Sequence, residues 1–332
     1  MRKKQQSLVI GFLVFIFTSA CQHKPTFFLW NQKVKSCVSE HRIPSMGTFF
    51  EMQLVHACDF NPEKVVVSAK EELDAIESEL SLYQTSSQLS RLNRDGFLCP
   101  ASPHLLRMTE VSIDFYERTA GRFDVSILPV LKAIEKSFEK TGRSPKDLSK
   151  FRALVNGAGV SLTNGCLRFK SPGMALTFDG VAKGYAVDRV AEALTNNIDG
   201  YLLNFSGNMR WYGEKPEGPW KIAVWNPVAR SLISLAPTTS GAIASSGSEH
   251  VHYDSNSMWH HLIDPKTLRP SNRYQSVTVV GSRAMECDIL STTFFVLELT
   301  EARRLQKKQF PQVSLYLINK KGELQWLPSL KN

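Results

Sequence analysis

In VVVSAKEELDAIESELSLY, Ala69, Leu73, Ile76 and Leu80 recur at helical spacing with acids on the opposite face, which predicts an amphipathic helix. A second helix is expected over 103–119, stopping at Gly121 in a C-cap position. A third follows the AKG triplet, in YAVDRVAEALTNN, and ends at its asparagines. DILSTTFFVLEL, opening on Asp288, reads as an almost wholly apolar helix. MGTFFEMQLV (46–55) has the aromatic and branched content of a strand. YLLNF, WKIAVW, SLISL, AIAS and SVTVVG read as short strands, and VSLYLI and ELQWL, joined by NKKG, as a closing hairpin. Helices come mostly first and antiparallel-looking strands later, which places the chain in the α+β class. With no internal repeat or low-complexity tract, residues 43–330 read as one continuous domain.

The N-terminus has a different pattern. MRKKQQ is basic, SLVIGFLVFIF is an apolar run too short for a stable membrane span, and TSAC places small residues before Cys21. Residues 1–21 are therefore expected to be a lipoprotein-type signal with Cys21 lipidated, although Thr18 stands where such signals usually carry Leu. Residues 22–42 are polar and irregular, as a tether between membrane and domain would be. The expected location is the bacterial cell envelope, on the periplasmic side of a membrane. Of the formal +9 charge, Arg2, Lys3 and Lys4 supply three; the remainder is scattered or in clusters such as Arg303, Arg304, Lys307 and Lys308, so no nucleic-acid partner is expected. The six cysteines contain no CxxC pair and give no support to structural zinc. Export would put them in an oxidising compartment. We expect Cys37 to pair with Cys58, and with Cys21 lipidated at least one thiol stays free.

Three stretches carry residues suited to chemistry. DGVAKGYAVD (179–188) joins a strand to a helix through two glycines and Lys183, a place where backbone amides and an ammonium favour an anion, yet the P-loop and dinucleotide patterns are absent. In CDILST (287–292), Asp288 and Thr292 lie one turn apart on the same helix face. They offer hard oxygen ligands to Mg²⁺, or else an N-cap and a hydroxyl bonded back to the helix. Finally, His250, His252, His260 and His261 fall within twelve residues. A zinc hydrolase could use such a cluster, but no HExxH-like spacing appears and His260 and His261 would face opposite sides of a strand.

Read in order, IPSMGTFF, SLYQTSSQLSRLN, AGRFDVSILP, DGVAKGYAVDRV, YLLNFSGNMR, AIASSG, HLIDPKTLRP and CDILSTTFFVL resemble the FAD:protein FMN transferase family, also called ApbE. The resemblance covers roughly residues 43–300. It implies a single T-fold-like domain with an antiparallel sheet and packed helices. It also implies an Mg²⁺-dependent enzyme that cleaves FAD, releases AMP and joins FMN by a phosphoester to a Thr or Ser of an acceptor flavoprotein. That acceptor would be a redox-complex subunit or reductase, and the lipid anchor would make the membrane a second partner. By resemblance, Met46, Tyr83, Arg122, Phe123, Asp124, Thr177, Lys183 and Ile263 are implied at the FAD site. The implied metal positions are Gly180 (through its carbonyl), Asp288, Ser291 and Thr292, and the implied catalytic residue is His261.

Five departures stand out. Thr177 replaces an Asp, Ser206 the first Gly of a pair, Ser245 a Thr, and Cys287 a small residue; Leu268 replaces a Gly, which predicts a less open turn there. A neutral imidazole at His261 could take the proton of the acceptor hydroxyl, with the Asp264–Pro265 turn holding it in place. His260 would then be a supporting residue on the other face. The alternatives are an FAD pyrophosphatase, with water as the acceptor, and a non-catalytic FAD-binding lipoprotein.

Overall fold

Strand β1 (Ser36–Ser45) pairs residue for residue with β2 (Thr48–Ala57), from Ser36 opposite Ala57 to Ser45 opposite Thr48. The computed structural model describes residues 35–331 apart from His250 and Ser257; the leader, Cys21 and residues 22–34 lie outside the described residues. The tether expected over 22–42 is thus corrected at its C-terminal end, because residues 36–42 are sheet. An edge strand needs main-chain partners on one side only, and β1 buries just Ile43 and Ser45, so its sequence stays polar enough to resemble a linker. Met46 and Gly47, at φ 47° and 72°, close the hairpin with the backbone twist that paired strands favour. The expected Cys37–Cys58 disulfide ties the open end of this hairpin, with the two Cα atoms 4.9 Å apart.

Helix α1 (Glu63–Leu80) buries the predicted stripe, extended by Val65. It is followed by α2 (Gln88–Asp95), β3 (Phe97–Leu98), α3 (Pro103–Arg118), α4 (Leu128–Thr141), β4 (Val160–Thr163) and β5 (Cys166–Phe169). Strands β3, β5 and β4 form a small sheet, fastened by a second disulfide, Cys99–Cys166. Then come α5 (Ala182–Ala193), β6 (Ile198–Phe205), β7 (Asn208–Tyr212), β8 (Ala223–Asn226), β9 (Ser231–Ser234) and β10 (Ser240–Gly247). The chain ends with β11 (Ile263–Asp264), β12 (Arg269–Pro270), β13 (Tyr274–Gly281), α6 (Ala284–Phe295), α7 (Leu299–Gln309), β14 (Ser314–Asn319) and β15 (Leu324–Leu327).

The main sheet has eight antiparallel strands in the order β1-β2-β6-β7-β10-β13-β14-β15. Alternate residues of its central strands, such as Leu203, Ala244, Val277, Val279, Leu315 and Leu317, pack with α1, α5 and α6 into the main core. The opposite face buries Val55, Trp211, Ile243 and Ile318 under Trp220, Ile222 and Val224 of the segment carrying β8 and β9. With both faces covered and the helices gathered mostly on one, the architecture is the expected α+β. Cys287 is the free thiol among the described residues, buried on α6.

Candidate active site

The site is built where α5 and α6 touch. Helix α6 begins at Ala284, four residues before Asp288, so Asp288 does not open the helix and is not its cap. The cap comes from α5 instead: Asp188 accepts from the backbone N–H groups of Ala284 and Met285 at 3.1 and 3.0 Å, and pairs with Arg210 at 2.8 Å. One turn earlier, Gly184 lies so close to α6 that a Cβ there would sit 2.5 Å from the Ala284 carbonyl oxygen and 2.8 Å from Asp288 Cβ. The glycine of AKG is therefore required by helix contact.

This packing turns one face of α6 into a row of oxygens. Asp288 is buried, and its Oδ2 accepts from Gly184 N–H at 3.0 Å. Burial pushes its carboxyl up to about 6, against the pull of the Gly184 N–H and the nearby Lys183 charge. On the following turn, Ser291 Oγ donates to the Asp288 carbonyl and lies 2.7 Å from Ser246 Oγ, which is in turn 3.1 Å from Thr292 Oγ1. Thr292 faces the turn into α5, which follows an irregular segment and not the strand expected there: a Cβ at Gly180 would stand 3.4 Å from its Oγ1. Gly180, Lys183, Asp288, Ser291 and Thr292 are therefore brought together as the sequence implied. Ser246 joins them from β10, inside the quoted AIASSG, where the period-two alternation of the strand turns it towards α6. A buried carboxylate with the Ser291 and Thr292 hydroxyls one turn further along the same face fits Mg²⁺, whose charge would offset the desolvation that raises Asp288. Among the described residues no group of three His, Cys, Asp or Glu side chains is placed to hold a metal, so the zinc reading gains no support.

His260 of the histidine doublet packs at the far end of the same helix face. The His260 ring meets Phe295 edge-on, centroids 5.8 Å apart, and Phe295 follows Asp288, Ser291 and Thr292 in the i, i+3, i+4, i+7 stripe. His260 has no solvent exposure; its Nε2 donates to the Ser271 carbonyl and its Nδ1 accepts from Leu262 N–H. Burial, aided by the charges of His261 and Lys320, lowers it to about 4, so the ring is neutral. His261 lies on the other side of the strand-like segment. Its Nδ1 is 3.1 Å from the Val251 carbonyl, which can only accept, so Nδ1 carries a proton. His250, the first of the four clustered histidines, lies outside the described residues.

The remaining predicted positions divide into two groups. Thr177, its Oγ1 accepting from Asp179 N–H, and Phe123, whose ring edge lies 3.9 Å from a Cβ built on Gly180, flank the turn that leads into α5. Met46 donates its N–H to Glu77 at 2.7 Å, and Tyr83 is 93% exposed. The others have partners within the protein. Asp124 accepts from Ser126 and from Gly157 N–H; burial raises its carboxyl and those bonds lower it. Arg122 is engaged by Asp264 and Glu301, and Ile263 is buried with Val130, Ile134 and Leu268. At Leu268 the expectation of a less open turn is corrected: φ is 59°, so the left-handed backbone suited to glycine is kept, and the leucine side chain is buried there. Two open cavities, near Arg210 and Trp211 and beside Asn196 and Asp199, share Tyr201 and Tyr212 and contain none of these candidate residues.

A model of the ApbE family matches residues 46–317, and the chain belongs to that family. A Haemophilus influenzae protein described as FAD:protein FMN transferase is 28% identical, over 95% of this chain and 93% of its own. A Vibrio cholerae protein of the same description is 27% identical, over 83% and 86%. The structure of the flavin transferase ApbE from Vibrio cholerae aligns with a TM-score of 0.76 at 24% identity, covering 90% of this chain and 99% of that one. The apbe protein from Thermotoga maritima also gives 0.76, at 22% identity over 87% and 96%. Both share the α+β fold described above.

Proposed function

We propose that this chain transfers FMN from FAD to a Thr or Ser hydroxyl of an exported or membrane-bound acceptor flavoprotein, with Mg²⁺ and with release of AMP. One observation carries the reading. Asp288, Ser291 and Thr292 share with Phe295 the helix face on which His260 packs, with Gly180 in the turn into α5 and Lys183 in its first turn nearby. That supports a cation position beside an anion-favouring helix start, with His261, the proposed base, next in sequence to the ring that packs on this helix face. The curated relatives described as FAD:protein FMN transferases support it.

In this reading the acceptor oxygen bonds to the FMN phosphorus as that phosphorus loses its bridging oxygen, which departs with AMP. The hydroxyl proton passes to Nε2 of His261, whose Nδ1–H is held by the Val251 carbonyl. Lys183 and the start of α5 draw the pyrophosphate in. Asp288, Thr292, Ser291 and the Gly180 carbonyl would hold Mg²⁺, which when bound neutralises charge on the phosphates.

Incubating the protein with FAD, Mg²⁺ and an exported acceptor, and reading in-gel flavin fluorescence beside AMP release, tests this. Fluorescent acceptor with matching AMP is expected. Free FMN and AMP without labelled acceptor would mean a pyrophosphatase, and tight FAD binding with neither product a flavin-binding protein. Asp288→Ala is expected to remove the Mg²⁺-dependent part; turnover at the wild-type rate would refute the metal assignment. We also propose attachment through Cys21 to the periplasmic side of a membrane in the cell envelope. A wholly soluble, unlipidated mature protein would leave simple secretion.

A further inference from the structure

The segment carrying His261 is buried on both sides of it: His260, Leu262, Ile263 and Asp264 are all at most 6% exposed. Beyond Asp264 the chain turns, and two arginines from a distant part of the sequence grip that turn. Arg122 Nη1 donates to both carboxylate oxygens of Asp264, at 3.3 and 3.1 Å, with the two side chains only 13% and 5% exposed. Its Nη2 donates to Glu301 of α7 at 2.8 Å. Arg152 Nη1 donates to the Pro265 carbonyl at 2.7 Å. Asp264 also accepts from Lys266 N–H at 2.9 Å, and Ile263 and Leu268 pack on Val130 and Ile134 of α4.

We propose that Arg122 and Arg152 are positioning residues for transfer: they fix the Asp264–Pro265 turn, and through it the placement of His261. The inference rests on the transferase reading above. The planar guanidinium, with Nη1 on Asp264 and Nη2 on Glu301, fixes direction as well as distance, which a single ammonium does not. A displacement of about 1 Å at a reacting group can cost on the order of 10²-fold in rate. Because the contacts of Arg122 run to Asp264 and Glu301, its loss should appear in the transfer rate and leave FAD binding nearly untouched.

The experiment compares wild type, Arg122→Met, Arg122→Lys and Arg152→Ala for FAD affinity by fluorescence quenching and for kcat and KM of transfer. Arg122→Met is expected to lower kcat about tenfold or more with FAD affinity within about twofold. Arg122→Lys should recover part of the loss, and the exposed Arg152→Ala should show a smaller loss of the same kind. Wild-type kcat in Arg122→Met and Arg152→Ala overturns the inference. So does an FAD affinity that falls in parallel with rate, which would make Arg122 a flavin contact. Should Arg122→Met fail to fold, Arg152→Ala decides by the same criteria. Should wild type itself transfer nothing, the functional reading fails separately. The ¹⁵N histidine spectrum, with the His261 signal assigned from His261→Asn, then tests the clamp: loss of the single Nδ1–H tautomer in the arginine variants supports it, and an unchanged signal overturns it.

Discussion

The backbone N–H of Gly184 donates to Oδ2 of Asp288 at 3.0 Å, joining the start of α5 to the oxygen-lined face of α6. The bond exists because nothing separates the two helices. The atoms nearest a Cβ at Gly184 are the Ala284 carbonyl group and Asp288 Cβ, and neither can swing away as the end of a long side chain could.

Gly184→Ala should therefore push α5 and α6 apart. Overpacking of this kind costs about 1–3 kcal/mol, at the upper end where backbone is struck. A lower urea midpoint with an unchanged m-value is expected, along with a higher Mg²⁺ requirement for transfer, because Asp288 moves with the helix. Wild-type stability and Mg²⁺ dependence together would mean that the helices separate without cost.

Much of this arrangement was legible in the sequence. The stripe of Ala69, Leu73, Ile76 and Leu80 predicted α1, and the series of motifs from MGT to CDILST brought Gly180, Lys183, Asp288 and Thr292 together before any fold was seen. Three things were hidden, each for a physical reason. β1 was read as tether because edge pairing leaves few side chains to bury. The start of α6 was placed late, since its cap is Asp188, ninety-six residues earlier in sequence, and no local signal reports such a partner. The ion pairs of Arg122 were hidden because its partners Asp264 and Glu301 come from the other half of the chain.

Leu268 makes the opposing terms measurable. A non-glycine residue in the left-handed region costs about 1–2 kcal/mol, and φ here is 59°. Removing a buried leucine side chain costs about 2–5 kcal/mol, and Leu268 is 1% exposed among Val130, Ile134 and Ile263. Leu268→Gly is thus expected to destabilise by about 1–3 kcal/mol despite relieving the backbone. A rise in the thermal midpoint would mean that strain outweighs packing at this turn.

His260 sets an acid limit on stability. Its folded value, lowered to about 4 by burial, lies below the unfolded 6.5. Between these pH values the unfolded chain binds a proton that the folded chain does not, so stability is fully present above about 6.5 and is lost as pH falls towards 4. The 2.5-unit gap corresponds to about 3 kcal/mol. His260→Asn should be less stable at neutral pH, because it replaces a fully hydrogen-bonded buried ring, but should lack this acid-dependent component. Urea unfolding of both proteins from pH 7.5 to 4.5 checks it; parallel pH profiles would show that other groups govern the acid limit.

His261 separates chemistry from binding. A general base acts on a proton in flight, contributing about 10²–10⁴-fold to rate while adding little to ground-state affinity. His261→Asn keeps approximate size and a donor that can still reach the Val251 carbonyl, but it has no basic nitrogen. FAD affinity within a few-fold of wild type is expected, with FMN transfer to the acceptor falling about 10²-fold or more. His260→Asn, on the buried side of the same segment, should lower stability and retain most of the transfer rate at a temperature where it is folded. Fluorescence quenching for affinity and in-gel flavin fluorescence for rate, run on both variants, give the comparison. Normal transfer by His261→Asn would assign proton removal to another group. Loss of transfer in folded His260→Asn alone would mean that the buried ring, and not the one facing Val251, is the base.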